Sequence, residues 1–450
     1  MSFALDLASH INALRYDDLP EQAVHWAKVG ILDTVGVTFA GSGEPAAQIV
    51  MQTLAPGDGP CLLFGTGRRS DALNAALING TASHALDFDD CNNTLGGHPS
   101  VPILPALFAL AEETGAGGRQ FIAAYVAGFE TETRISRGVN FYQYTKGWHP
   151  TATIGIFGTA AACARLLELD DETTATALAI AASLAAGIKS NFGTMVKPLH
   201  IGQCTRNGLF AALLARNGFS ASAVAFEHRQ GYFEVFNGAG NYDASKILRD
   251  WAAPLDIVTP GIAIKQYPCC GSTHPAIDMM LKLVRAHDID AERIERIDAW
   301  LHERRLEHTN RPDPRNALDA KFSLQYCLAR AATERKVVIE HFQQENIHDS
   351  RIRALLPHVH VAPYTDAQFP PDNHFGAEVK ITLQDGKTYS AKTEHADGRT
   401  SENPLSADQL REKFMNCMSR AAPRDTATRL YDAIQRFERI ESVRDMLAGI

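Results

Sequence analysis

Apolar positions recur at helical spacing over most of the first 260 residues. Ala23, Ala27, Ile31 and Val35 share one helical face, with Asp18 as the expected cap and Pro20 in the first turn. Ser70 is the expected cap of a helix running from Asp71 towards Ala85. Segments 153–164, 177–188 and 208–215 are rich in alanine and glycine, which let helices approach closely. Near Pro260 the pattern changes. Residues 276–286 read as a helix, and Ile297, Ala299 and Leu301 then alternate as in a half-buried strand. Lys321 to Glu334 returns to helical spacing. Ala377, Val379, Ile381 and Leu383 alternate up to Asp385-Gly386, a hairpin signal, and a polar strand follows. From Ser406 onward Leu410, Phe414 and Cys417 again share a helical face. The expected fold is mainly α with α+β. A large all-helical domain is formed by both chain ends, 1–261 and 396–450, and a smaller α+β domain, 262–395, is inserted between them.

Composition narrows the class. The 450 residues include 43 basic and 52 acidic side chains, a formal charge of −9, with 45% hydrophobic residues. These are values of a globular chain, and they exclude a disordered or collagen-like one. The acidic balance argues against nucleic-acid and anionic-membrane partners, which need a basic surface. It leaves room for a small acidic ligand in a locally cationic pocket. The first dozen residues lack a signal-peptide pattern, and no apolar stretch reaches the roughly 20 residues that span a bilayer. Eight scattered cysteines contain no CxxC pair, so reduced thiols in a cytoplasmic protein are expected. Adjacent Cys269 and Cys270 make a poor case for zinc or an iron–sulfur cluster.

Gly41, Gly43 and Ala46 match GxGxxA, but a helix-like segment precedes them and Pro45 interrupts them, so no dinucleotide site is expected. Neither a phosphate loop of the GxxxxGK type nor a GxSxG elbow occurs. Four polar clusters carry more information. The first is HALDFDDCNNTLGGHPS, from His84 to Ser100, with three acids, Thr94 and His98. Alone it reads as a capped helix end with solvated acids, and its histidines lack the i, i+4 spacing of a helical metal pair, so no metal is implied. The second, Lys146 to Thr151, places His149 just before a small-residue helix whose N-terminus would suit a carboxylate. The third, NFGTMVKPLHIG, places Lys197 before a proline, which biases it away from helix into a constrained turn. The fourth, Lys265 to Pro275, lies at the domain boundary and contains Lys265, Tyr267 and His274. Lys, His, Asp, Thr and Tyr without a nucleophile elbow suit an anionic substrate undergoing proton transfer beside a carboxylate. The resulting enediolate-like charge needs nearby cations and donors.

In this order, HALDFDDCNNTLGGHPS, GWHPTATIGIFG, NFGTMVKPLHIG and KQYPCCGSTHPAID resemble the MmgE/PrpD family over nearly the whole chain. Members handle small polycarboxylates without an iron–sulfur cluster. The resemblance implies a helical domain from both chain ends, an inserted α/β-type domain, a homodimer and no cofactor. It carries the family's active-site positions onto Asp90, Thr94, His98, His149, Lys197, Lys265, His274 and Tyr326. On this reading Lys197, Lys265 and His149 bind carboxylates, Thr94 and Tyr326 contact substrate, and His98 or His274 moves the proton. Asp90 orients a histidine. Tyr144, upstream of GWHP, is a further candidate acid beside the plainer reading of a loop tyrosine. Lys197, Lys265, His98, His149 and His274 are expected to converge in one cationic pocket. The expected activity is a cofactor-independent lyase, first a dehydratase of a 2-methylcitrate-like acid. An epimerase of an iminodisuccinate-like acid, a cis-aconitate-like decarboxylase and a non-catalytic polycarboxylate-binding protein follow in that order.

Overall fold

The computed structural model describes residues 2–139, 141–370 and 372–450. The chain is mainly helical with a small α+β part, and it divides into two compact units. Met1–Ile264 with Ser406–Ile450 forms the first, and Lys265–Leu405 the second.

Helices Glu21–Gly41, Ala72–His84, Ser100–Thr114, Gly118–Val139, Gly155–Leu166, Asp171–Leu184 and Val196–Arg216 build the first unit. Glycine permits one of its close crossings. A Cβ on Gly202 would stand 2.5 Å from the Leu77 carbonyl oxygen, so Val196–Arg216 lies almost backbone to backbone on Ala72–His84. The last segment, with helices Ala407–Met418 and Arg424–Gln435, packs into this same unit and buries Phe414, Leu430 and Phe437.

Several local expectations change. Helix Glu21–Gly41 starts after Pro20 rather than on an Asp18 cap, because Tyr16–Asp18 forms a separate short turn. Asp71, not Ser70, caps Ala72–His84, accepting the Asn74 N–H at 3.0 Å. The helix expected over 153–164 divides into Pro150–Thr153 and Gly155–Leu166. Lys197 lies inside helix Val196–Arg216 rather than in a turn before it. Pro198 is tolerated there because first-turn N–H groups have no intrahelical acceptor to lose. Gly41 ends helix Glu21–Gly41, so the segment before it is helical, as its pattern predicted.

The second unit is built on a four-stranded sheet. Ile294–Leu301 lies at its centre, parallel to Val359–Pro363 and antiparallel to Ala377–Leu383, which pairs on its far side with Thr388–Thr393. The hairpin turns at Asp385-Gly386, with Gly386 at φ 82° supplying the left-handed position. Alternate residues of Ala377–Leu383 are buried against helix His274–Ala286 and the core around Leu324–Glu334. The helical run from Lys321 is two helices, Ala317–Lys321 and Leu324–Glu334, because Ser323 caps the second by accepting the Tyr326 N–H at 3.1 Å.

Candidate active site

In the first unit helix Ala72–His84 ends where Asp87 takes a left-handed φ of 53°, a conformation aspartate tolerates better than most residues. That turn directs three carboxylates in three directions within four residues. Beyond it Cys91 and Ala263 exchange N–H···O bonds at 2.8 Å, and Asn92 donates to the Gly261 carbonyl at 2.8 Å and accepts from the Leu95 N–H at 2.8 Å. These bonds close the loop that returns His98 beneath His84, the two rings packing edge to face at 4.6 Å.

Asp89 is the hinge of the site. It is fully buried, and its Oδ2 lies 2.8 Å from His84 Nδ1 and 3.0 Å from His98 Nδ1. Burial opposes its charge, but the two histidines hold the carboxyl well below the usual range, so Asp89 is ionised and can only accept. Both Nδ1 atoms therefore carry a proton directed at it. The histidines respond differently. Burial, with help from the Lys197 charge, pushes His84 down to about 4, and it is neutral. Burial also opposes the charge on His98, yet Asp89 outweighs it and lifts His98 to about 10. His98 is an imidazolium at neutral pH. Its Nε2 faces Asp87 Oδ1 at 3.6 Å, and Lys197 Nζ donates to that same oxygen at 2.7 Å. Two cations thus meet at one partly open carboxylate oxygen.

His149 is placed by the pairing of Trp148 with Ile188, in which its N–H bonds the Gly187 carbonyl at 3.0 Å. Its ring stacks on His84 at 5.7 Å, its Nδ1 lies 3.3 Å from His200 Nδ1, and Phe192 covers it edge-on at 4.8 Å. Burial and the surrounding cations hold it well below the ordinary imidazole range, so it is a neutral base. The turn of helix that follows it is only Pro150–Thr153, too short to act as a dipole for an anion.

Of the residues singled out in sequence, His98, His149 and Lys197 stand together here. Asp90 does not touch a histidine. It accepts from Ser100 Oγ, and Ser100 Oγ is 2.5 Å from Tyr125 Oη, with Asp90 pushed well up by burial and by Asp33. The orienting role expected of Asp90 is geometrically that of Asp89. Thr94 is half-buried, with its carbonyl accepting from Ser136 Oγ at 2.9 Å. Tyr144 is exposed, and Lys189 Nζ lies 3.3 Å over its ring. Lys265, His274 and Tyr326 belong to the second unit. His274 opens helix His274–Ala286 with Nε2 3.3 Å from the Cys269 carbonyl, and Lys265 is 8% exposed. Tyr326 is fully buried and donates to the His341 carbonyl, as a core residue does. Asp87, Asp89, His84 and His200 were missed. The signal for two of them was the triplet of acids itself, which offers more carboxylates than one role needs.

Donor atoms of His84, Asp89 and His98 lie within 4.8 Å of one another and are the one group among the described residues that could hold a metal ion. The fit is poor. Both Nδ1 atoms lie at hydrogen-bond distance from one oxygen, where ligands around a tetrahedral ion at about 2.0–2.2 Å must stand farther apart. The donor set is that of an acid held by its carboxylate.

The comparisons agree along the whole chain. The profile of the MmgE/PrpD N-terminal domain matches residues 5–245 and that of the MmgE/PrpD C-terminal domain residues 267–439. The cis-aconitate decarboxylases of Mus musculus and Homo sapiens are each 29% identical, covering 96% and 98% of this chain and 90% and 92% of their own lengths. A cis-aconitate decarboxylase of Aspergillus terreus is 24% identical over 96% of this chain and 93% of its own. With both domain profiles matched in order, the chain belongs to the MmgE/PrpD family.

Proposed function

We propose that the protein is a lyase that decarboxylates a small unsaturated tricarboxylate of the cis-aconitate type. The observation that carries this reading is the imidazolium of His98, fixed on Asp89 at 3.0 Å beside the Lys197 ammonium. Decarboxylation of an allylic acid needs one acid and no base. The bond to the departing carboxylate breaks, its electron pair forms a new double bond, and the old π pair takes a proton at the far carbon. His98 Nε2–H is that proton donor. Lys197 holds a remaining carboxylate, with Asp87 tuning its position. The names of the three relatives above point the same way and displace dehydration from first place. A second reading keeps one specific support: neutral His149, 5.7 Å from His84, is a base that a dehydratase would pair with the acid.

Proton NMR in D₂O with cis-aconitate and, separately, 2-methylcitrate tests both. Decarboxylation yields carbon dioxide and a product with one deuterium at the newly formed methylene. Consumption of 2-methylcitrate alone, with a new olefin, would replace the reading by dehydration. Lys197→Ala should reduce turnover by about two to four orders of magnitude while leaving the thermal transition nearly unchanged. Full activity in that variant removes Lys197 from the mechanism.

A further inference from the structure

The loop that bears Asp87 and Asp89 must keep both carboxylates within hydrogen-bond tolerance of His84, His98 and Lys197, and residues 85–90, before the Cys91–Ala263 bridge, lie in no helix or strand. Its midpoint is held from the far end of the chain, within the same unit. Lys413 of helix Ala407–Met418 is buried and donates from Nζ to the Phe88 carbonyl at 2.9 Å. The same Nζ lies 4.0 Å over the Phe88 ring and 2.5 Å from Asp33 Oδ1 of helix Glu21–Gly41. Leu32, Gly36, Leu410, Phe414 and Cys417 close around the pair and leave a gap of about 10 Å³, room for one water at most. A buried ion pair is weak as a source of stability, and apolar residues of similar volume serve a helix contact as well. What the ammonium adds is a charged donor aimed at the carbonyl of Phe88, the residue between the two site aspartates.

We propose that Lys413 is a positioning residue of the reaction, fixing through the Phe88 backbone the two carboxylates on either side of it, Asp87 towards Lys197 and Asp89 towards His84 and His98. Its kinetic consequence rests on the lyase reading above, whereas its structural consequence needs no substrate. The test uses the full chain with Lys413→Met and with the charge-balanced pair Asp33→Asn/Lys413→Met. The pair removes the anchor without leaving a lone buried charge, so its thermal transition should stay within a few degrees of wild type. Its kcat on cis-aconitate should fall about tenfold to hundredfold, with KM changed less than about threefold, since misplacing an acid costs turnover more than binding. Amide hydrogen exchange should quicken over residues 85–98 and not over the rest of the first unit.

Wild-type kcat together with unchanged exchange over 85–98 in the pair variant overturns the inference. Should the pair fail to fold, Lys413→Arg carries the same readouts, because it keeps the charge opposite Asp33 and replaces the compact ammonium that reaches Phe88. Wild-type kcat and exchange in that variant overturn the inference equally. If wild-type protein turns over neither acid, the lyase reading fails, and exchange alone then decides: quickened over 85–98 supports the anchor, unchanged overturns it.

Discussion

A histidine that keeps its proton at neutral pH needs a carboxylate it cannot escape, and Asp89 supplies one because it is buried and shared. Asp89, Asp87, Cys91 and the ring of His84 all face His98. Its folded pKa of about 10 stands above the ordinary 6.5, so the charged form persists through neutral pH and is lost as pH rises through about 10. Turnover that uses this proton should hold through neutral pH and fall on the alkaline side near 10. In Asp89→Asn the alkaline limb of kcat should move down by one unit or more, and a limb that stays in place would show that another group gives the proton. Asp89 also marks what the residues alone could not tell. Asp87, Asp89 and Asp90 are one residue type within four positions, and their roles separate only through the left-handed backbone at Asp87, which turns one to Lys197, one to the histidines and one to Ser100. Residue type announces that carboxylates gather here. Side-chain direction after a turn decides which is which.

At the level of elements, periodicity and cap chemistry made most helices legible, and so did the hairpin at Asp385-Gly386. The starts were less so: Asp71 rather than Ser70, and Pro198 inside a first turn, are choices between adjacent residues that both satisfy the local rules. Burial of charge within a helix was not legible at all. Glu132 of Gly118–Val139 is fully buried, and both its carboxylate oxygens lack a partner among the described residues. A Cβ on Gly158 would stand 2.7 Å from its Oε2, so the glycines of Gly155–Leu166 make room for this carboxyl. Burial first, then Asp90, pushes it well above the ordinary 4.5, and it stays protonated. The unfolded chain loses that proton above 4.5 and the folded chain keeps it, so Glu132 costs stability increasingly as pH rises. Glu132→Gln removes the titration. Its thermal transition relative to wild type should therefore shift upward as pH is raised above about 4.5 and show no such trend below it, read by calorimetry across the range. A constant difference at all pH values would mean the carboxyl is ionised in the folded protein.

On the scale of the molecule, a net charge of −9 is compatible with a tricarboxylate ligand because Lys197 and imidazolium His98 act at contact distance, well inside the screening length of about 10 Å at 0.1 M salt. The two units differ in how they are closed. Lys265–Leu405 is one continuous stretch with its own sheet and its own core, from Ile277 and Met280 through Ile297 to Val379 and Ile381. The first unit is continuous only through its last segment. There Gly118 donates to the Ile440 carbonyl at 2.7 Å, Val443 to the Ala116 carbonyl at 3.0 Å, and the Phe437 ring meets Phe121 at 5.0 Å. Removing residues 406–450 would expose that face and strand Asp33 in the interior without Lys413, and breaking a buried pair from one side costs about 3–5 kcal/mol. A chain ended at residue 405 should therefore lose the cooperative transition of the first unit, while residues 265–405 expressed alone should keep a cooperative thermal transition by circular dichroism. A first unit that melts cooperatively without its last segment would mean that this segment is not needed to close that core, and a second unit that does not fold alone would mean that the two cores are not independent.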